Sequence, residues 1–165
     1  MRQGFSVRPL VGRDAVLEAV LASLCRSGGH GAVVVADAGT GKSSLATAVA
    51  GKLKDRVDVH RIHTSSSLST VPYGALAPLI SDLDPGGTDS PLAVMRSLMG
   101  RLFPDGGYES SSAPLLIVDD ADSLDEASGD LVMQLVASGR IRILLLTRRI
   151  AGLPAGDGSS LVDAG

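Results

Sequence analysis

The chain has 165 residues, room for one domain with a real hydrophobic core and hardly for two. A net charge of −3 gives no overall basic footprint for DNA or an anionic membrane, and aromatic residues at 2% without Trp give no stacking platform for single-stranded nucleic acid. One cysteine excludes an internal disulfide, no apolar run approaches the ~20 residues of a membrane span, and Met1 to Ser6 lead into no signal core, so a cytoplasmic protein is expected.

Strand and helix signals then alternate along the chain, the pattern of an α/β fold with a parallel sheet. Val16, Leu17, Val20, Leu21 and Leu24 predict an amphipathic helix over 13–25, with Cys25 a small buried hydrophobe at its end. Ser27-Gly28-Gly29 breaks it. Residues 32–36 read as a short buried strand, a Gly-rich turn follows, and 43–53 form a helix with Leu45, Val49 and Leu53 on one face. Over 57–63 a strand is expected, in which Val57, Val59, Arg61 and His63 alternate against Asp58, His60 and Ile62. His60 and His63 then face opposite ways and do not share a metal ion.

After a polar loop, Tyr73, Leu76, Ile80 and Leu83 predict another helix, with Pro78 in its first turns or kinking it. Leu92, Met95, Leu98, Met99 and Leu102 make a helical core stripe, and 104–114 reads as a flexible loop. Leu115 to Val118 is the most hydrophobic strand and runs straight into Asp119-Asp120. Ser123 and Glu126 have capping-box spacing, which starts a helix there that continues to Gly139. Residues 141–147 form the last expected strand, and 150–165 a flexible tail.

The segment Ala36-Asp37-Ala38-Gly39-Thr40-Gly41-Lys42-Ser43 has Walker A spacing, with Ala36 where the first Gly usually stands. Gly39 and Gly41 let the backbone curl and aim N–H groups at a phosphate, and the following helix adds its N-terminal dipole. Ala38, Gly39, Thr40, Gly41, Lys42, Ser43 and Ser44 are therefore the expected phosphate-binding residues. Lys42 is placed to neutralise the β- and γ-phosphates, and the Ser43 hydroxyl to ligate Mg²⁺. A methyl group at Ala36 is tolerated if φ there stays negative. Asp119 and Asp120 end a strand where open α/β sheets place ligands. Asp119 would hold Mg²⁺ and Asp120 would orient or deprotonate the attacking water. Arg148, in Thr147-Arg148-Arg149 at the end of the next strand, could sense the γ-phosphate; a solvated basic edge with Arg140 and Arg142 is the alternative. Gly12-Arg13, ahead of the first helix, is a weaker candidate for an adenine-side contact.

Leu10-Val11-Gly12-Arg13-Asp14, the Walker A segment, Val71-Pro72-Tyr73-Gly74-Ala75-Leu76 and Val118-Asp119-Asp120-Ala121 stand in one order. Together they resemble the N-terminal ATPase of the large ATP-binding LuxR-type bacterial regulators, STAND-class relatives of the AAA+ fold. The resemblance implies a single three-layer P-loop domain, a mainly parallel sheet flanked by helices, binding ATP or ADP with Mg²⁺. It also implies that Gly12 and Arg13 border the adenine and that an Arg near Thr147-Arg148 reads the γ-phosphate. Asp122 departs from the family, which often carries His there. In those regulators a fifth strand, lid, repeats and a helix-turn-helix follow. The chain would thus be truncated, lacking the last strand and lid, open to self-association along an uncovered edge, and without direct DNA binding of its own. A regulatory ATPase with slow hydrolysis is the leading expectation. A non-hydrolysing switch or remnant, an AAA+ ATPase acting on DNA and, distantly, a small-molecule kinase are the rivals.

Overall fold

The computed structural model describes residues 14–26, 31–84, 86–104, 106, 113–148 and 160–163. Gly12, Arg13, Arg149 and most of the 104–114 loop lie outside them. The elements in order are α1 (Asp14–Cys25), β1 (Gly31–Val35), α2 (Lys42–Leu53), β2 (Val59–His63), a 3-10 turn (Gly74–Leu79), α3 (Pro91–Leu102), β3 (Leu115–Asp119), α4 (Glu126–Ala137), β4 (Arg142–Thr147) and β5 (Ser160–Asp163). The sheet order is β2-β3-β4-β1-β5, with β1 to β4 mutually parallel and β5 antiparallel to β1. From β1 the chain crosses beyond β4 and β3 to return as β2 at the far edge.

Successive residues of a strand face opposite sides of the sheet, so an unbroken aliphatic strand serves two cores. Leu115 and Ile117 of β3 join Leu45, Val49 and Leu53 of α2 and Val20 and Leu24 of α1 on one side. Leu116 and Val118 join Leu98 and Leu102 of α3 and Leu131 and Leu135 of α4 on the other. This is the expected three-layer arrangement. It puts the ends of β1, β4 and β3 side by side at one edge of the sheet.

Several local expectations are corrected. Tyr73 to Leu83 is not an α-helix but a 3-10 turn over Gly74–Leu79, since Pro78 has no N–H to continue an α ladder. In α3 the buried stripe is Val94, Leu98 and Leu102, whereas Leu92 is 63% exposed because, two residues before Val94, it lies about 200° round the helix from it. Cys25 is exposed, the last residue of α1, with Leu24 taking the buried position beside it. The tail is not without structure: a short strand, β5, pairs antiparallel with β1 from Ala32 to Val35, along the edge expected to stay uncovered.

The cap of α4 is Asp125, not Ser123, which belongs to a separate short turn; Leu124 between them is extended and breaks the helix path. The buried Asp125 carboxylate accepts from Ser128 N (2.9 Å) and Ser128 Oγ (2.7 Å), and also from Tyr73 N (2.9 Å) and Ala75 N (3.3 Å). One side chain therefore starts α4 and pins the Val71–Leu76 loop, where Tyr73 takes a positive φ of 58°. Burial pushes the carboxyl up, but the hydrogen bonds from Ser128, Ala75 and Tyr73 outweigh it and hold it below its ordinary range. A depressed carboxyl contributes stability above its unfolded pKa, near ~3.9, and loses it as pH falls through the folded value. Asp125→Ala should cost about 2 kcal/mol at neutral pH, from the lost cap and the orphaned donors. In a thermal melt this is a fall of roughly 4–8 °C. The difference from wild type should shrink in acid; a neutral-pH midpoint equal to wild type would show that the loop does not depend on this carboxylate.

Candidate functional site

The turn between β1 and α2 is shaped by its two glycines. Gly39 and Gly41 have φ of 76° and 85°, a left-handed region that side-chain-bearing residues avoid. Ala36 is not among the positive-φ residues, so its methyl group is accommodated. Its N–H donates to Thr147 O (3.1 Å), which ties the start of the loop to the end of β4. Gly41 caps α2 with no side-chain hydrogen bond, leaving the helix N-terminus to whatever lies in front of it. Lys42 is buried, and its Nζ donates to Ala36 O (2.8 Å) and Asp37 O (2.9 Å), while Thr40 Oγ1 donates to Asp37 O (2.6 Å). An ammonium has three donors, and two are spent on the loop itself.

Ala38, Gly39, Gly41, Lys42, Ser43, Ser44, Asp120 and Arg148 line one open cavity of about 400 Å³, within the usual range of ligand sites. The structure thus brings together the loop, the second aspartate and the arginine of the next strand. Thr40 is held on the loop by its bond to Asp37. Asp119 is not among the lining residues, with only 1% of its side chain exposed.

Strand parity explains where Asp119 points. It shares the α2 side of the sheet with Leu115 and Ile117, as do Arg61 and His63, their neighbours on β2. Arg61 Nη2 donates to Asp119 Oδ2 (2.8 Å), and His63 Nδ1 lies 3.5 Å from the same oxygen. Burial pushes the Asp119 carboxyl up, but the hydrogen bond from Arg61, the neighbouring Ser43 hydroxyl and the charges of Arg61 and His63 outweigh it and hold it below its ordinary range. Its other oxygen, Oδ1, is buried with no partner. A charged, buried oxygen that lacks a donor is what a divalent cation or its bound water satisfies, so the residues fit Mg²⁺ held by Asp119 and Ser43.

Asp120 has a left-handed φ of 57°, a conformation Asp and Asn tolerate better than other side chains. Its carbonyl, not its carboxylate, accepts from Ser123 N (2.8 Å) and from the Thr64 hydroxyl. Arg148 Nε donates to Asp122 Oδ2 (2.8 Å) and its backbone N to Asp122 Oδ1 (3.3 Å). Burial pushes Asp122 up, but these bonds and the Arg148 charge keep its carboxyl below the ordinary range. Arg61 and Asp122 were both missed as site residues. The alternation at Arg61 was visible, but its use required knowing that β2 lies beside β3.

The geometry is that of a nucleotide-handling site, and the comparison with known families agrees. Residues 9–146 match the AAA ATPase domain. The chain belongs to that family. Nucleotide and Mg²⁺ use is what membership in this AAA ATPase family implies. Among solved structures, the Orc1 protein of Aeropyrum pernix in complex with DNA shares its fold, at TM-score 0.59 and 21% identity over 84% of this chain. That match spans 39% of the Orc1 chain. No curated protein matches.

Proposed function

We propose that this AAA ATPase domain is the nucleotide switch of a bacterial signalling or transcription regulator, of the STAND, LuxR-type class. It would bind ATP·Mg²⁺ in the cytoplasm, hydrolyse it slowly to ADP, and respond to which nucleotide is bound. The regulator role rests on the resemblance of the motif order, and the observation that supports nucleotide binding is the pairing of two half-sites around β4. On one side stand an uncapped helix N-terminus and Lys42; on the other stands Asp119 with a free, buried oxygen. Mg²⁺ would supply charge neutralisation between the phosphates. Lys42 and the loop N–H groups would hold the phosphates, Ser43 and Asp119 the cation, and Asp120 the attacking water. Gly12 and Arg13 remain our proposed adenine-side contacts. Further domains of a longer regulator, and neighbouring copies of this domain, would read out the bound state.

Arg148 is the proposed sensor. Its Nε is occupied by Asp122 and its side chain borders the cavity, while its Nη groups make no hydrogen bond among the described residues. Calorimetric titration with ATP and ADP, each with Mg²⁺, tests the reading. Wild type should prefer ATP, and Arg148→Ala should lose about tenfold of that preference, the worth of one charge-assisted hydrogen bond. The half-exposed pair with Asp122 contributes little, so stability should change by less than ~1 kcal/mol. No binding of either nucleotide by wild type would overturn the proposal.

A second reading, an AAA+ ATPase acting on DNA, draws support from the Orc1 protein having been solved with DNA. The chain's net charge of −3 favours the first. A DNA-shift assay at low salt separates them.

A further inference from the structure

Arg61 has no part in the phosphate loop, yet its guanidinium touches both sides of the metal site. Nη2 bonds Asp119 Oδ2 at 2.8 Å and Ser43 O at 3.3 Å, and Nη1 bonds Thr47 Oγ1 at 3.0 Å. These partners lie on β3 and on the first two turns of α2, so one planar group spans the gap between the strand that ends in Asp119 and the helix that begins at Lys42. A planar guanidinium does this with two nitrogens held at a fixed spacing, whereas an ammonium directs all its donors from a single atom and cannot reproduce that spread.

The arrangement also divides the carboxylate. Oδ2 of Asp119 is taken by Arg61, whereas Oδ1 is buried without a partner. Guanidinium–carboxylate pairs are frequently two-point contacts, whereas here Arg61 Nε, like Asp119 Oδ1, is buried without a partner. Here it orients the group and leaves one oxygen. We propose that Arg61 is the positioning residue of the magnesium site: it sets the separation of Ser43 and Asp119 and presents Oδ1 of Asp119 to the cation. The proposal rests on the nucleotide-binding reading above and adds to it the residue that makes binding magnesium-dependent.

The test measures affinity for a non-hydrolysable ATP analogue in EDTA and in Mg²⁺, on the full chain, for wild type, Arg61→Lys and Arg61→Gln. Residues that orient a metal ligand are worth ~10–100-fold in metal affinity. Both variants should therefore keep the EDTA affinity within about twofold and lose at least ~tenfold of the Mg²⁺ enhancement. Arg61→Lys preserves the charge and the aliphatic stem, so it separates geometry from neutralisation and is the safer variant for folding, which a thermal melt checks. Equal loss in EDTA and Mg²⁺ would make Arg61 a brace of the loop and overturn the proposal. A larger Mg²⁺ enhancement in the variants would make it a competitor of the cation and overturn it equally. Wild type that binds in neither condition removes the nucleotide reading itself, whereas an enhancement shared by wild type and variants removes only the role of Arg61.

Discussion

Asp120→Asn is expected to bind ATP·Mg²⁺ within about twofold of wild type and to turn it over ~10²-fold more slowly, or worse, the usual worth of a positioned general base. The substitution isolates the chemistry because of how the residue is held. Its backbone is left-handed, and asparagine tolerates that conformation as aspartate does, whereas alanine would add strain. The anchoring hydrogen bonds from Ser123 and Thr64 go to the carbonyl and survive the change. Asp119→Asn should fail the other way. Its carboxylate is buried, paired with Arg61 and short of one partner, so losing the charge should weaken the Mg²⁺-dependent part of binding first. Single-turnover kinetics on pre-bound nucleotide distinguish the two. If both variants lose affinity alike and turnover per bound ATP is unchanged, the division of roles between Asp119 and Asp120 is wrong.

The two neighbours were legible in sequence as a pair of acids that ends an aliphatic strand, but what separates them was not: β3 stops at Asp119 and Asp120 turns left-handed, so strand parity does not place its side chain. The phosphate loop was legible for a stronger reason: its geometry is local, and eight consecutive residues specify it. What required tertiary knowledge was not. Arg61 read only as one member of an alternating strand; its meaning comes from β2 lying beside β3, and nothing between residues 63 and 115 encodes that pairing locally. The start of α4 shows a subtler failure. Ser123 and Glu126 satisfy the capping pattern, but Asp125 wins the position because its carboxylate serves Ser128 and the Tyr73–Ala75 loop together, some fifty residues away in the chain. The strand at Ser160–Asp163 was hidden by the Gly- and Ser-rich residues around it, a composition that reads as tail whatever it later pairs with.

Lys42→Ala is expected to lose about 10²-fold in ATP·Mg²⁺ affinity, near 3 kcal/mol, the upper part of the range for a charge-assisted hydrogen bond in a partly desolvated site. The effect should be this large because Lys42 is itself buried and has already surrendered much of its hydration, so that turning from the loop carbonyls to a phosphate exchanges neutral acceptors for charged ones. The fold should survive. Asp37 is exposed, so its released carbonyl can take water, and α2 keeps its own aliphatic face of Leu45, Val49 and Leu53 in the core. The Ala36 carbonyl is buried and loses its donor, a cost of ~1–3 kcal/mol. A cooperative melt with its midpoint lowered by no more than roughly 10 °C would show that the loss is local. Calorimetry then decides the matter. With the fold intact, wild-type affinity in the variant would mean that the curled loop, its glycines and its uncapped helix do not cradle a phosphate. Weakened affinity that is equal for ATP and AMP would place Lys42 away from the β- and γ-phosphates. A loss that grows from AMP to ADP to ATP is the outcome that the position of its Nζ, across the loop from Ala36 and Asp37, leads us to expect.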